Sequence, residues 1–369
     1  MTRALAGAGA DVTVITLPGQ GPAPAHVTLR PVRVLEHNFL RRSLAFRDAV
    51  ARQLVALRPD VVHFRGPFEG EAAVAWASKQ AGVKSVYEVN GLPSVELRYH
   101  YPGVRDAHSL EAKLRALEGR VASAADLRLT QSQATARFVR LRTQAGATVI
   151  PNGARPLPLP DAEHDGERPL RLLYIGALQP WQGLKDLLIA TRRADRHTPL
   201  SLHVVGPARR SWQRQLHRMA ARLKVRDLVV EDAVDKAALQ ERLAAADVCV
   251  APLTRDLRNR GQGCSPIKLF EYMAAGRCVL ASDLPCVREI VDHGRTGWLA
   301  RPSHPHRLAE AIVHLAGAPE LRLALGRRAR ETIAAEATWE HRHQQLVIAY
   351  QALLDGASLS PGVSAPPPA

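Results

Sequence analysis

The stretch LRLLYIGALQPWQGLKDLLIA, residues 170–190, decides the fold. LRLLYIG is an apolar run of strand length that stops at Gly176, and LKDLLIA spaces its leucines as an amphipathic helix does, opening at Gly183. Strand, glycine turn and helix in that order make a βα unit. Glycine at both points lets the backbone approach a phosphate while helix N-terminal amides face it. Ordinary βα turns use glycine as well, so the residues alone leave both readings open.

The same alternation runs outward in both directions. On the N-terminal side DVTVITL, DVVHFRG, KSVYEVNG, LRLTQS and TVIPNG read as strands, separated by helical segments such as RDAVARQLVALR and SLEAKLRALEGRVASAA. On the C-terminal side LSLHVVGP, LVVEDAV, VCVAPL and CVLASDL continue the pattern. Alternating β and α elements predict parallel, doubly wound sheets. The proline- and acid-rich segment at 153–169 reads as a linker between two Rossmann-like domains, 1–155 and 156–335. A final helix over 336–354 and a disordered tail over 355–369, rich in proline and serine, complete the expectation. The opening MTRALAGAGADVTVITLPG reads as a helix end, a turn and a second strand, so the first domain is expected to lack its first strand.

The chain has 369 residues, a formal charge of +15 and a pI near 10.4. That balance favours anionic partners, namely nucleotide phosphates or an acidic membrane face, although arginines solvated on helix surfaces produce the same total. Aromatics are 5% and scattered, which argues against nucleic acid. No run has the length of a spanning helix and no signal pattern opens the chain, so a cytoplasmic location is expected. Cys249, Cys264, Cys278 and Cys286 lack metal-ligand spacing and read as reduced thiols, and no Asp-x-Asp triplet suggests a bridging metal. The absence of G-x-G-x-x-G after a first strand excludes a nicotinamide dehydrogenase.

A second turn carries more chemistry. CVAPLTRDLRNRGQGCSPIKLFEYMAAG joins a strand to a helix through a basic loop. Ser265 reads as an N-cap and Pro266 as the first helical residue, aiming free amides at an anion, with Arg258, Arg260 and Lys268 close by. Glu271 lies one turn deeper, where it would repel phosphate; the residues leave it either sugar hydroxyls or a cation such as Lys268.

At this level the sequence resembles the retaining family 4 glycosyltransferases of GT-B fold. LYIGAL, LHVVG, LAAADVCVAPL, SPIKLFEYMAAGRCVLASDLPCVREIVDHGRTGWLA and a late TWE fall in the family's order, as do DVVHFRG, VYEVNG, LTQS and VIPNG, over roughly residues 1 to 350. The resemblance implies two Rossmann-like domains facing a central crevice. It implies transfer of a sugar from a nucleotide-sugar donor to a glycan or lipid-linked acceptor by metal-independent front-face chemistry, with no cofactor.

By that resemblance the donor is held by Gly176, Gln182, Gly183, Lys185, Gly206, Val230, Asp232, Val234, Arg258, Arg260, Gly263, Cys264, Ser265, Pro266, Ile267 and Glu271. Glu271 would bind ribose hydroxyls and Val230 to Val234 would meet the base. The family's other glutamate falls at Gly263, and its diphosphate-clamping arginine and lysine fall at Ala177 and Gln182. Arg260 and Lys268 are the expected replacements. The family's histidine beside the donor sugar matches Asn90, which can hydrogen-bond a hydroxyl but cannot shuttle a proton. Asn90, Glu271 and Lys268 are therefore the expected catalytic group, with Glu88, Asn90 and Glu96 on the acceptor side. His63 reads as a strand histidine, not a ligand. These departures keep two alternatives in view: a non-catalytic sugar-nucleotide binder or partner subunit, and an epimerase of the same fold.

Overall fold

The computed structural model describes residues 1–19, 21–157, 168–207 and 210–357. Most of the linker and nearly all of the tail lie outside the described residues. The chain divides into two compact units, residues 1–151 with 340–369, and residues 152–339.

Unit 1 contains a four-stranded parallel sheet in the order β3-β4-β5-β6, with β3 Val61–Phe64, β4 Lys84–Val89, β5 Leu127–Thr130 and β6 Thr148–Val149. The first two strands, β1 Val12–Thr16 and β2 Val27–Pro31, pair with each other in parallel as a separate ribbon. DVTVITL thus forms a strand as expected, but its hydrogen-bonded partner is β2 and not the main sheet. β4 is buried along nearly its whole length, as a parallel strand covered on both faces must be. Phe64, Tyr87, Val89, Leu117 and Val121 form its main core. The helix Trp339–Leu354 contributes Leu346, Ala349 and Tyr350 to a second cluster with Val86, Leu127 and Leu129.

Unit 2 is built on six parallel strands: β7 Leu170–Ile175, β8 Leu200–Val205, β9 Leu228–Glu231, β10 Val248–Ala251, β11 Cys278–Ser282 and β12 Trp298–Ala300. Their order is β12-β11-β10-β7-β8-β9. Read from β9 this is the 3-2-1-4-5-6 order of a doubly wound nucleotide-binding sheet, whose direction reverses between β7 and β10. Leu187, Leu188, Ile312 and Leu315 from two helices pack with Leu170, Leu172, Leu202 and Val250 to form the core. The opening stretch therefore lies at the reversal, where ligands bind outside the carboxyl ends of the strands. No described helix is long and apolar enough to cross a membrane.

Candidate functional site

Two turns meet at the reversal of the unit 2 sheet. After β7 the chain passes Gly176, makes a short 3-10 turn over Pro180–Gln182 and enters the helix Leu184–Ala194 at Gly183. After β10 it forms a π-helical turn over Leu257–Gln262 before the helix Ile267–Ala274. The carbonyl of Trp181 stitches the two together: it accepts from Thr254 N at 3.1 Å, from Thr254 Oγ1 at 3.1 Å and from Asn259 Nδ2 at 2.9 Å. Asn259 is fully buried. The approach is so close at Gly183, φ 75°, that a Cβ there would lie 1.7 Å from the Pro252 carbonyl oxygen.

Lys268 stands where these turns converge. Its side chain is buried, its Nζ donates to Gln182 Oε1 at 2.8 Å, and the ammonium sits 3.9 Å from the centroid of the Tyr174 ring. Gly176 has φ 133°, a conformation strained for any side chain, and a Cβ there would lie 2.8 Å from that same Nζ. Tyr272, one turn on, accepts from Ile175 N at 2.7 Å and so ties the helix to the end of β7. Lys268 forms no ion pair among the described residues. Burial brings its pKa down to about 7, against the raising influence of Cys264 and Glu271. Glu271 is half-buried and its carboxylate accepts no hydrogen bond among the described residues. Burial pushes its pKa up, with Lys268 pulling the other way. The result is a buried cation beside an unengaged carboxylate at a sheet reversal, a pair that can receive an anion and a hydroxyl.

The other donor-side residues divide by position. Gly206, φ 151°, abuts Gly176, and a Cβ there would lie 2.2 Å from the Gly176 carbonyl oxygen. Val230 pairs with Val204 in the edge strand β9, while the exposed Asp232 accepts from Ala233 N at 2.7 Å; Val234 follows, half-buried. Arg258 is turned toward Trp181, 5.0 Å from the ring centroid, and donates to Asn259 Oδ1. Arg260 and Lys185 are exposed and form no ion pair among the described residues. Of the cations expected near the phosphate, the structure brings Lys268 to Gly176 and Gln182.

Two expectations about this turn are corrected. Residues 257–262 are a helical turn and not a loop, held by the Asp256 carboxylate accepting from Asn259 N. The following helix starts at Ile267 with Pro266 at the N-cap, so Ser265 is not its cap. Ser265 is instead drawn to Asn152, whose Nδ2 donates to the Ser265 carbonyl at 2.7 Å. Gly263, φ 79°, gives the turn its sharp bend before the half-buried Cys264, and Ile267 is left 48% exposed at the helix start.

In unit 1 the expected acceptor-side residues gather at the carboxyl ends of β3, β4 and β5. The Glu88 carboxylate is almost fully buried and does not face outward. It takes hydrogen bonds from Arg65 Nε at 2.6 Å, His63 Nε2 at 3.2 Å and Gln131 Nε2 at 3.4 Å. His63 Nδ1 lies 2.5 Å from the Tyr350 hydroxyl, which it can accept from while Nε2 donates to Glu88. Burial pushes the Glu88 pKa up, but the His63 hydrogen bond and the Arg65 charge outweigh it and the net direction is down. Asn90 is exposed and accepts from Gln131 Nε2. Glu96 folds back over Gly91, where a Cβ would lie 2.7 Å from its carboxylate.

Comparison with known proteins bears on the family and the fold. Residues 1–156 match the model "Glycosyltransferase Family 4" and residues 169–317 match "Glycosyl transferases group 1". A D-inositol 3-phosphate glycosyltransferase 2 from Catenulispora acidiphila is 28% identical over 377 aligned positions, which cover 90% of this chain and 84% of the relative. Among solved structures, sucrose-phosphate synthase from Thermosynechococcus elongatus superposes with a TM-score of 0.80 at 19% identity, covering 96% of this chain and 92% of that one. Anabaena HepE, solved with UDP and glucose, gives 0.69 at 15% identity, covering 92% of this chain and all of that one. Between them the two family models span all but the linker, the last two helices and the tail, and the chain belongs to the family 4, group 1 glycosyltransferases: it is a glycosyltransferase of GT-B fold.

Proposed function

We propose that this glycosyltransferase takes its sugar from a nucleoside-diphosphate donor held at the reversal of the unit 2 sheet and passes it, with retained anomeric configuration and without a metal, to a glycan or lipid-linked acceptor bound by unit 1. The observation that carries this reading is Lys268, a buried cation that forms no ion pair among the described residues and lies against Gly176. A diphosphate at that point supplies the missing anion, and the leaving group gains a charge already in place. Glu271, unengaged one turn deeper, suits the ribose hydroxyls, and the backbone of Gly263, Cys264 and Ser265 faces the sugar. The UDP bound by Anabaena HepE makes uridine the first base to try. The name of the Catenulispora relative makes a phosphorylated polyol a reasonable first acceptor.

In front-face transfer the donor phosphate takes the acceptor proton, so no protein nucleophile is needed. The formal charge of +15 supports contact with an anionic membrane surface, where lipid-linked acceptors reside. Gly263 and the Gln131-bound Asn90 favour a second reading, a sugar-nucleotide binder without transfer.

Both readings meet in one experiment. Purified protein is titrated with UDP-, GDP- and ADP-sugars, and nucleotide release is followed with and without EDTA and with phosphorylated polyols or lipid-linked glycans added. The proposal expects one nucleotide series to bind, release insensitive to EDTA, and a product of unchanged anomeric configuration by NMR. Binding with no release under any condition favours the second reading. Inversion, or loss of release in EDTA, overturns the mechanism.

A further inference from the structure

The four cysteines divide sharply by environment. Cys249 and Cys278 lie in β10 and β11, fully enclosed in the unit 2 core. Burial pushes both thiols up, that of Cys278 to about 12, so thiolate is scarce at either. Cys264 and Cys286 are placed differently. Their sulfurs are 3.8 Å apart, and Cys264 is half-buried in the bend between Gly263 and Ser265. Cys286 is fully buried beneath it, its Sγ 3.4 Å from the Asn259 carbonyl oxygen.

We infer that Cys264 and Cys286 are a modification site: an oxidant reaching Cys264 links the two as a disulfide, and the link withdraws the phosphate-facing turn from the donor. The effect on donor binding rests on the function proposed above; the formation of the link does not. The geometry supplies the order of events. Cys264 is the more exposed of the two, so its sulfur meets hydrogen peroxide first; one S–O bond forms, the O–O bond breaks, and the products are a sulfenic acid and water. The Cys286 sulfur then attacks the Cys264 sulfur, an S–S bond replaces the S–O bond, and a second water leaves. In sum two thiols lose two electrons and two protons to one peroxide. Cys286 suits the second step, since its hydrogen bond with Cys264 lowers its pKa more than burial raises it.

The cost falls on the bend. A disulfide needs the sulfurs about 2 Å apart, so they must close by nearly 2 Å from 3.8 Å. Cys286 is enclosed in the core and held at the Asn259 carbonyl, whereas Cys264 follows Gly263 at φ 79°. The bend therefore makes most of the movement, carrying its amides away from the phosphate position.

The full chain is treated with stoichiometric hydrogen peroxide, thiols are trapped, and peptides are mapped by mass spectrometry, with nucleotide affinity measured before oxidation, after it, and after dithiothreitol. The expected result is a peptide pair joined through Cys264 and Cys286, Cys249 and Cys278 trapped as thiols after denaturation, and nucleotide affinity reduced at least about tenfold and restored by reductant. Cys286→Ala should bind nucleotide as the parent does before oxidation and form no link. Peptide mapping of the parent alone decides the chemistry if that variant fails to fold. Absence of the linked pair, equal oxidation of all four cysteines, or a link that leaves nucleotide affinity unchanged overturns the inference. Reduced protein that binds no nucleotide, with the link still forming, indicts the proposed donor site and not the thiol pair.

Discussion

Glu88 in unit 1 and Lys268 in unit 2 are both almost wholly buried, at 6% and 8% exposure, and both sit at the carboxyl ends of parallel strands. Their surroundings differ in kind. Glu88 accepts from an arginine, a histidine and an amide, and the histidine is itself held by Tyr350. Lys268 has a neutral amide, the face of a ring and an unbonded carboxylate further off. Burying a charge is costly unless it is paired and hydrogen-bonded. The first charge is compensated by the protein and its pKa moves toward the charged form; the second is not, and its pKa moves toward the neutral form. A buried charge balanced within the fold holds structure together. One left unbalanced at a sheet reversal marks where a ligand completes the site.

The strongest way to break this contrast is Lys268→Met. Loss of the cation should lower kcat/KM for the diphosphate donor by about 10²–10³-fold, the usual scale for removing one stabiliser of developing charge. The melting temperature should hold or rise, because an uncompensated buried charge is replaced by an apolar side chain of similar length. Steady-state kinetics and thermal unfolding read the two effects separately. A lower melting temperature with unchanged kinetics would make Lys268 a structural residue like Glu88.

Glu88→Ala should do the reverse. It strands His63, Arg65 and Gln131, and the fold should lose about 1–3 kcal/mol in chemical denaturation while nucleotide affinity stays at the parent value. The pH dependence sharpens the assignment. Because the native pKa of Glu88 is depressed, its contribution is fully present above the ordinary glutamate pKa and disappears as pH falls through the native value. The stability curves of parent and variant should therefore converge in acid. Parallel curves would mean that the charge of Glu88 is not what the network holds.

How much of this was legible in the sequence follows from which interactions are local. Ten strands are legible because their β-branched and apolar runs are short and bounded by turns. β2 is obscured by Pro31 at its end, and β12 by having only three residues. The glycines at 176 and 183 announce a tight turn, yet the partner each would strike, Lys268 Nζ or the Pro252 carbonyl, lies far along the chain. The Lys268–Gln182 contact spans 86 positions and has no local signature. Asn259 and Tyr272, which tie the two turns together, and Asn152, which holds Ser265, likewise read from sequence as ordinary loop or helix residues. The carboxylate of Glu88 shows the opposite error of expectation: a glutamate at a strand end reads as an offered ligand, and its three donors only appear once β3, β4 and β5 are side by side.

A smaller effect is expected from pH on the donor site. The Lys268 pKa of about 7 means that the free protein loses its cation as pH rises through neutrality, whereas a bound diphosphate holds the proton on. Donor affinity should then fall above pH 7, by at most about tenfold per pH unit, with one proton taken up on binding. Calorimetry in buffers of different ionisation enthalpy measures that proton directly. Cys264 and Glu271 also act on Lys268, so the slope should be repeated in Glu271→Gln, where it moves to lower pH; in Lys268→Met it should vanish.

The smallest expected effect tests how far the compensated network of unit 1 extends. Tyr350→Phe keeps the ring that stacks on His63 at an interplanar angle of 11° but removes the hydroxyl from His63 Nδ1. The loss should be about 0.5–1.5 kcal/mol, one hydrogen bond with its packing retained. Amide exchange in the helix Trp339–Leu354 should quicken, because Leu346, Ala349 and Tyr350 are its buried anchors to the sheet. The double variant with Glu88→Ala discriminates further. If the hydroxyl acts by fixing the histidine that serves Glu88, the double variant loses less than the sum of the two single losses, since the second removal finds the network already broken. Full additivity would confine the Glu88 network to the three strands, with the Tyr350–His63 hydrogen bond holding the last helix independently of it.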